Sequence, residues 1–78
     1  MSQSSPTTVL LVDDHDLIRQ GLARAFERSE DFRVAGQAAN VSEAEDLAVR
    51  LSPDVVVTDV RLPDGTGLDL VRTLRANA

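Results

Sequence analysis

Two short apolar runs, each closed by acid, constrain this chain more than any other feature. Val9-Leu10-Leu11-Val12 ends on Asp13-Asp14, and Val55-Val56-Val57-Thr58 ends on Asp59. The first is continuously apolar, as expected of a strand covered on both faces, and the second is strongly β-branched, the clearest strand signal in the chain. Segments of helical period lie between and after them. The resulting order, β-α-β-α-β-α, suits a parallel sheet built through right-handed crossovers. In such a sheet both acidic ends fall at one carboxyl edge, where open α/β folds form their sites.

The other segments fill in that frame. From Asp16 onward, Leu17, Ile18, Gly21, Leu22, Ala25 and Phe26 recur at helical spacing, with Arg19, Gln20, Arg24, Glu27 and Arg28 opposite. Arg33 to Ala38 is a weaker strand. Ser42 is the expected N-cap of a second helix, with Glu45 completing a capping box and Ala44, Leu47, Ala48 and Leu51 forming its apolar stripe. Ser52-Pro53 ends that helix, because a residue before proline is pushed out of the α region. Pro63-Asp64-Gly65-Thr66-Gly67 reads as a turn. Leu68, Val71 and Leu74, with Leu70 beside them, then mark a third helix to about Arg75.

At 78 residues the chain makes one domain at most, and a chain this short buries only about 60–65% of its unfolded surface. Hydrophobic residues make up 42% of it and two phenylalanines are its only aromatics, so the expected core is aliphatic. The net charge is −5 and all eight basic residues are arginine. They form no stripe and do not interleave with aromatics, which argues against direct nucleic-acid binding and favours a partner with basic patches. Cysteine is absent, excluding disulfide and thiolate chemistry. Met1 to Thr7 reads as a disordered leader without the basic start and apolar stretch of a signal peptide. No segment approaches 18 apolar residues, so the expected location is cytoplasmic.

Asp13, Asp14 and Asp59 in one basin would repel, and a hard divalent cation relieves that repulsion. Mg²⁺ suits such a place because it takes oxygen ligands, keeps several waters and bridges carboxylates to phosphate oxygens. Asp59, fixed at the end of a central strand, is the best candidate nucleophile. The same acids could instead cap a following helix or face solvent. Asp54, at the opposite end of its strand, reads as a capping or solvent-facing residue, and His15 as a surface or first-turn residue rather than a ligand. There is no GxGxxG, P-loop or zinc-ligand set.

Three stretches together resemble the opening half of a bacterial response-regulator receiver domain. They are Val9-Leu10-Leu11-Val12-Asp13-Asp14-His15, Pro53-Asp54-Val55-Val56-Val57-Thr58-Asp59 and Leu62-Pro63-Asp64-Gly65-Thr66-Gly67. The Ile18-Arg19-Gln20-Gly21-Leu22 helix is most similar to the NarL/FixJ-like branch, whose members carry a helix-turn-helix output domain. The resemblance implies a flavodoxin-like (CheY-like) doubly wound parallel sheet, here truncated after β-α-β-α-β-α with partial strand order 2-1-3, over residues 8–78. It further implies a signalling module and not a turnover enzyme. Asp59 would accept phosphate from a sensor histidine kinase, and Asp14 and Asp59 would ligate Mg²⁺. Asp13 would act through a bound water, Arg61 through its backbone carbonyl, and Pro63 and Gly67 would shape the loop. DNA would be reached only through an output domain outside this chain.

In the family, a Thr or Ser after the fourth strand and a lysine after the fifth complete the phosphate side. Lysine occurs nowhere in these 78 residues. Ending after the third helix would also leave Val55-Val56-Val57 as an open apolar edge, so self-association through that edge is expected. A truncated interaction module that is not phosphorylated is the alternative reading. A haloacid-dehalogenase-like Mg²⁺ phosphatase fits less well, because those enzymes place Asp-x-Asp after the first strand and the acids here are Asp13-Asp14, then Asp16 across His15.

Overall fold

In the computed structural model, residues 5–76 are described. The elements are β1 (Thr7–Val12), α1 (Asp16–Glu27), β2 (Phe32–Ala38), α2 (Val41–Leu51), β3 (Val55–Thr58), the short strands β4 (Arg61–Leu62) and β5 (Gly65–Thr66), and α3 (Gly67–Ala76). A three-stranded parallel sheet has the order β2-β1-β3, and β4 pairs with β5 as a separate antiparallel hairpin. This is the doubly wound core expected from the alternation of runs. The expected leader falls mainly on residues 1–4, outside those described, and β1 already begins at Thr7.

β1 is central and its four apolar residues are completely buried, which explains the absence of polar alternation. Because successive side chains point to opposite faces, Leu10 and Val12 enter one core with Ala38, Val41, Ala44, Leu62 and Leu70. Val9 and Leu11 enter the other with Ala23, backed by Leu22, Phe26, Val34 and Val57. The first core lies under α2 and α3, the second under α1. Phe26 meets Phe32 edge to face, with ring centroids 5.3 Å apart. The β1–β2 ladder shifts register between Val9 and Leu10, leaving Ala35 as an extra residue on β2.

At the amino end of the sheet Thr8 and Asp54 bind each other reciprocally. Asp54 Oδ2 accepts from Thr8 N at 2.8 Å and from Thr8 Oγ1 at 3.0 Å, and Asp54 N donates to Thr8 O at 3.0 Å. Asp54 is therefore a clamp between the starts of β1 and β3, on an exposed side chain. Those hydrogen bonds, led by the one from Thr8 N, hold its carboxyl below the usual carboxylate range.

Three local expectations are corrected. In α1 the inward positions are Leu22, Ala23 and Phe26, with Arg19 half-buried, whereas Leu17 and Ile18 are 85% and 55% exposed and Gly21 and Ala25 also face out. In α3 the inward line is Gly67, Leu70 and Leu74, while Leu68 and Val71 are exposed. The cap of α2 is Asn40 and not Ser42: Asn40 Oδ1 accepts from Glu43 N at 2.8 Å, and Glu43 Oε1 accepts from Ala39 N at 2.7 Å. The box sits two residues earlier than expected, so Val41 enters the core as the first helical residue. Ser52 ends α2 in the left-handed region, at φ 46°.

Candidate functional site

The backbone ladder continues one residue past β1 and β3, and this places the acids. Asp13 N donates to Ala38 O at 3.0 Å and Asp59 N donates to Val12 O at 2.9 Å. Asp13 and Asp59 thus start from adjacent, hydrogen-bonded strand ends. Asp14 follows in the turn to α1.

These acids converge with one histidine. Single ligand atoms of Asp13, Asp14, His15 and Asp59 all lie within 4.8 Å of one another. His15 Nδ1 is 2.9 Å from Asp13 Oδ1, 3.1 Å from Asp14 Oδ1 and 3.9 Å from Asp59 Oδ2. His15 occupies the N-cap position of α1 with an exposed ring, as a first-turn residue should. Its nitrogen nevertheless enters the acidic cluster, a role the sequence reading missed. The available signal was its place directly after Asp13-Asp14, since the backbone turns back there: His15 N donates to Asp13 Oδ1 at 2.8 Å.

The electrostatics of the basin favour positive charge. The hydrogen bond to Asp13 and the charge of Asp14 push the His15 imidazole upward from its ordinary pKa. The backbone hydrogen bond from His15 holds the Asp13 carboxyl below its ordinary range. Arg19 supports the same turn from below, donating through Nη1 to Asp13 O at 2.6 Å and through Nη2 to Asp16 Oδ1 at 2.9 Å. Asp16 is thereby engaged outside the tetrad.

A cavity of about 510 Å³ opens beside the tetrad, lined by Asp14, His15, Asp59, Val60, Arg61, Leu62 and Pro63. Asp14 and Asp59 side chains are each about one-third exposed, whereas Asp13 is largely covered. That combination fits a divalent cation that binds two open carboxylates and retains water, with a third carboxylate set behind. Pro63 lines the cavity wall and Gly67 closes the loop, donating its N–H to Val60 O at 2.8 Å. A β-carbon on Gly67 would stand 2.5 Å from Asp59 O and 3.0 Å from Thr58 Cγ2. Only glycine allows this approach.

The residues Pro63 to Gly67 do more than turn. Pro63 to Thr66, together with Arg61 and Leu62, form the β4–β5 hairpin, in which Arg61 pairs with Thr66 and Leu62 with Gly65. Thr66 and Asp69 then cap α3 reciprocally, each backbone N–H donating to the other's side chain at 3.1 Å.

With this geometry in place, residues 9–78 match the family described as Response regulator receiver domain. The chain belongs to the response-regulator receiver family. It is 36% identical over 75 residues to the nitrate/nitrite response regulator protein NarL of Escherichia coli strain K12, covering 96% of this chain and 35% of that protein. It is 46% identical over 66 residues to the DNA-binding transcriptional activator DevR/DosR of Mycobacterium tuberculosis, covering 85% of this chain and 30% of that protein. This receiver segment therefore spans about a third of the length of these relatives.

Solved receivers share its shape. The signal receiver domain of the NarL response regulator of Mycobacterium tuberculosis superposes with a TM-score of 0.91 at 31% identity, covering 95% of this chain and 60% of that one. A LuxR-family two-component response regulator from Aurantimonas sp. SI85-9A1 gives 0.87 at 38% identity, covering 92% and 51%. The NarL/FixJ-like branch expected from the sequence is thus the one matched. The receiver is a phosphoacceptor signalling domain and not a classical catalytic enzyme, and its Asp/His tetrad is typical of Mg²⁺-dependent phosphotransfer to aspartate. Among the described residues no helix is long and apolar enough to cross a membrane.

Proposed function

We propose that this chain is the phosphoacceptor part of a two-component transcriptional regulator, with residues 8–78 forming one receiver segment and Asp59 as the phosphorylated residue. The observation that carries the reading is the meeting of Asp13, Asp14 and Asp59 at one sheet edge, beside an open cavity. A carboxylate oxygen of Asp59 forms the new bond to phosphorus as the bond from phosphorus to a phosphohistidine nitrogen of a sensor kinase breaks. The electron pair of that broken bond stays with the imidazole. Asp59 is held for this attack by Val60 N, which donates to Oδ1 at 2.9 Å and leaves Oδ2 toward the basin.

Mg²⁺ is the metal that best suits these donors, held by Asp14, Asp59 and the Arg61 backbone carbonyl, with Asp13 acting through water. Bound there, it offsets charge on the transferred phosphoryl oxygens. DNA is contacted through an output domain and not by this acidic chain, and the setting is the cytoplasm. The test is Mg²⁺-dependent fluoroberyllate binding followed by ¹⁹F NMR. Binding by the wild type and its loss in Asp59→Asn is the expected result. No binding by the wild type in saturating Mg²⁺ would refute the reading.

A second reading concerns assembly. Among the described residues β3 pairs only with β1, and Val55 at its start is 43% exposed. The free side of β3 gives a second copy of the chain an apolar ladder to pair with.

A further inference from the structure

We infer that Asp64 is a positioning residue for the metal site, acting by tying the β4–β5 hairpin to the start of α2. The inference rests on the metal reading above. Its basis is a contact across 23 residues of sequence. Asp64 Oδ1 accepts from Val41 N at 2.7 Å and Oδ2 accepts from Ser42 N at 2.9 Å.

α2 already has local capping at its amino end, because Asn40 Oδ1 accepts from Glu43 N and Glu43 Oε1 accepts from Ala39 N. Asp64 takes the two remaining donors of the first turn, so the first turn is served partly by the hairpin. The attachment is reinforced by packing. Leu62 is buried against Val41, Ala44 and Leu70, and a β-carbon on Gly65 would lie 3.3 Å from Val41 Cγ2. A two-residue hairpin has little stability by itself. Its geometry is therefore set by what it is fastened to.

The fastening matters because of what the hairpin carries. Its first residue is Arg61, which follows Asp59 by two positions and lines the same cavity as Asp14 and Asp59. With Asp64 fixed on α2 at one end and Gly67 N on Val60 O at the other, the Arg61 main chain is held on both sides. Asp64 reaches neither the cavity nor the acids. Its influence on the cation passes through the loop alone.

The decisive comparison uses two caps on one helix. Mg²⁺ titrations of the 78-residue chain by ¹⁵N NMR would be made on wild type, Asp64→Ala, Asp64→Asn and Asn40→Ala, with amide hydrogen exchange measured on each. Asp64→Ala is expected to weaken Mg²⁺ about tenfold, the lower end for supporting residues of metal sites. Asp64→Asn keeps one oxygen acceptor for one of the two N–H groups and should show an intermediate loss. Asn40→Ala loosens the same helix end without touching the hairpin and should stay within about twofold of wild type.

Equal weakening by Asn40→Ala and Asp64→Ala would overturn the proposal, since the effect would then be helix fraying. So would wild-type affinity in Asp64→Ala with fast exchange at Val41 and Ser42. Should Asp64→Ala fail to fold, Asp64→Asn and Asp64→Glu decide it: unchanged affinity in both, despite fast exchange at Val41 and Ser42, overturns the proposal. Absence of Mg²⁺ binding in the wild type is a different outcome, which removes the metal reading and Asp64's role with it.

Discussion

The carbonyl oxygen of Asp59 lies where Gly67 has no side chain, 2.5 Å from the position a β-carbon would take. The first residue of α3 and the main chain of the candidate phosphoacceptor therefore share one close contact. Gly67→Ala must push one of them away. Forced contacts of this kind cost about 1–3 kcal/mol, and a urea titration should show that loss. Because the displaced atom belongs to Asp59, Mg²⁺-dependent fluoroberyllate binding should weaken as well.

Leu70 is fully buried between the sheet and α2, beside Leu10 and Leu62. Leu70→Ala should destabilise the fold by about 2–5 kcal/mol in chemical denaturation. The exposed Leu68, two residues earlier on the same helix, should tolerate alanine with little change.

Mg²⁺ should stabilise the folded chain, because its ligands come together only on folding. At about one hundred times its dissociation constant the gain is about 2.7 kcal/mol, visible as a rise in Tm that EDTA reverses. Asp14→Asn should abolish most of that rise. A rise of full size in Asp14→Asn would remove Asp14 from the ligand set.

Acid should loosen two tertiary ties. Asp54 and Asp64 both have folded pKa values below the ordinary one, Asp54 chiefly from Thr8 N and Asp64 chiefly from Ser42 N. Their contribution is present above the unfolded value, about 3.9, and disappears as pH falls through the lower folded values. Denaturation midpoints of wild type should therefore drop below about pH 4. Asp54→Asn should start less stable at neutral pH and show a shallower drop.

In the 78-residue chain, the side of β3 that no described residue pairs with should drive concentration-dependent association. Val55→Lys places a charge on the exposed start of that strand, a device natural edge strands use. Sedimentation velocity should show a shift toward monomer. An unchanged distribution would place the association elsewhere.

The fold was legible largely because β1 and β3 are short, continuous and closed by acid, and β1, whose apolar residues are fully buried, needs no other signature. The acidic basin followed from the same two runs. Amphipathic faces were harder. α1 carries two apolar stripes, and only contact with the sheet decides that Ala23 faces in while Leu17 and Ile18 face out. The α2 cap was misplaced because Ser42 and Glu45 have the same spacing as Asn40 and Glu43, and the choice is made by Val41 entering the core. The hairpin within residues 61–66 is too short to show a period. The contact of Asp64 with Val41 and Ser42 spans separate elements, and nothing local announces it.

The Thr8–Asp54 clamp has a consequence at the far end of the sheet. Five positions separate Thr8 from Asp13, and five separate Asp54 from Asp59. Between them the two strands run in unbroken one-to-one pairing from Val9 with Val55 to Val12 with Thr58. The strands thus act as a matched pair of rulers set to a common zero. An inserted or deleted residue in either one would carry its acid about 3.3 Å along the sheet and turn it to the opposite face. Val can replace Leu along these strands and leave the acids aligned, whereas a change in strand length would part them. In this domain, chemistry at one edge is metered by a residue count begun at the other.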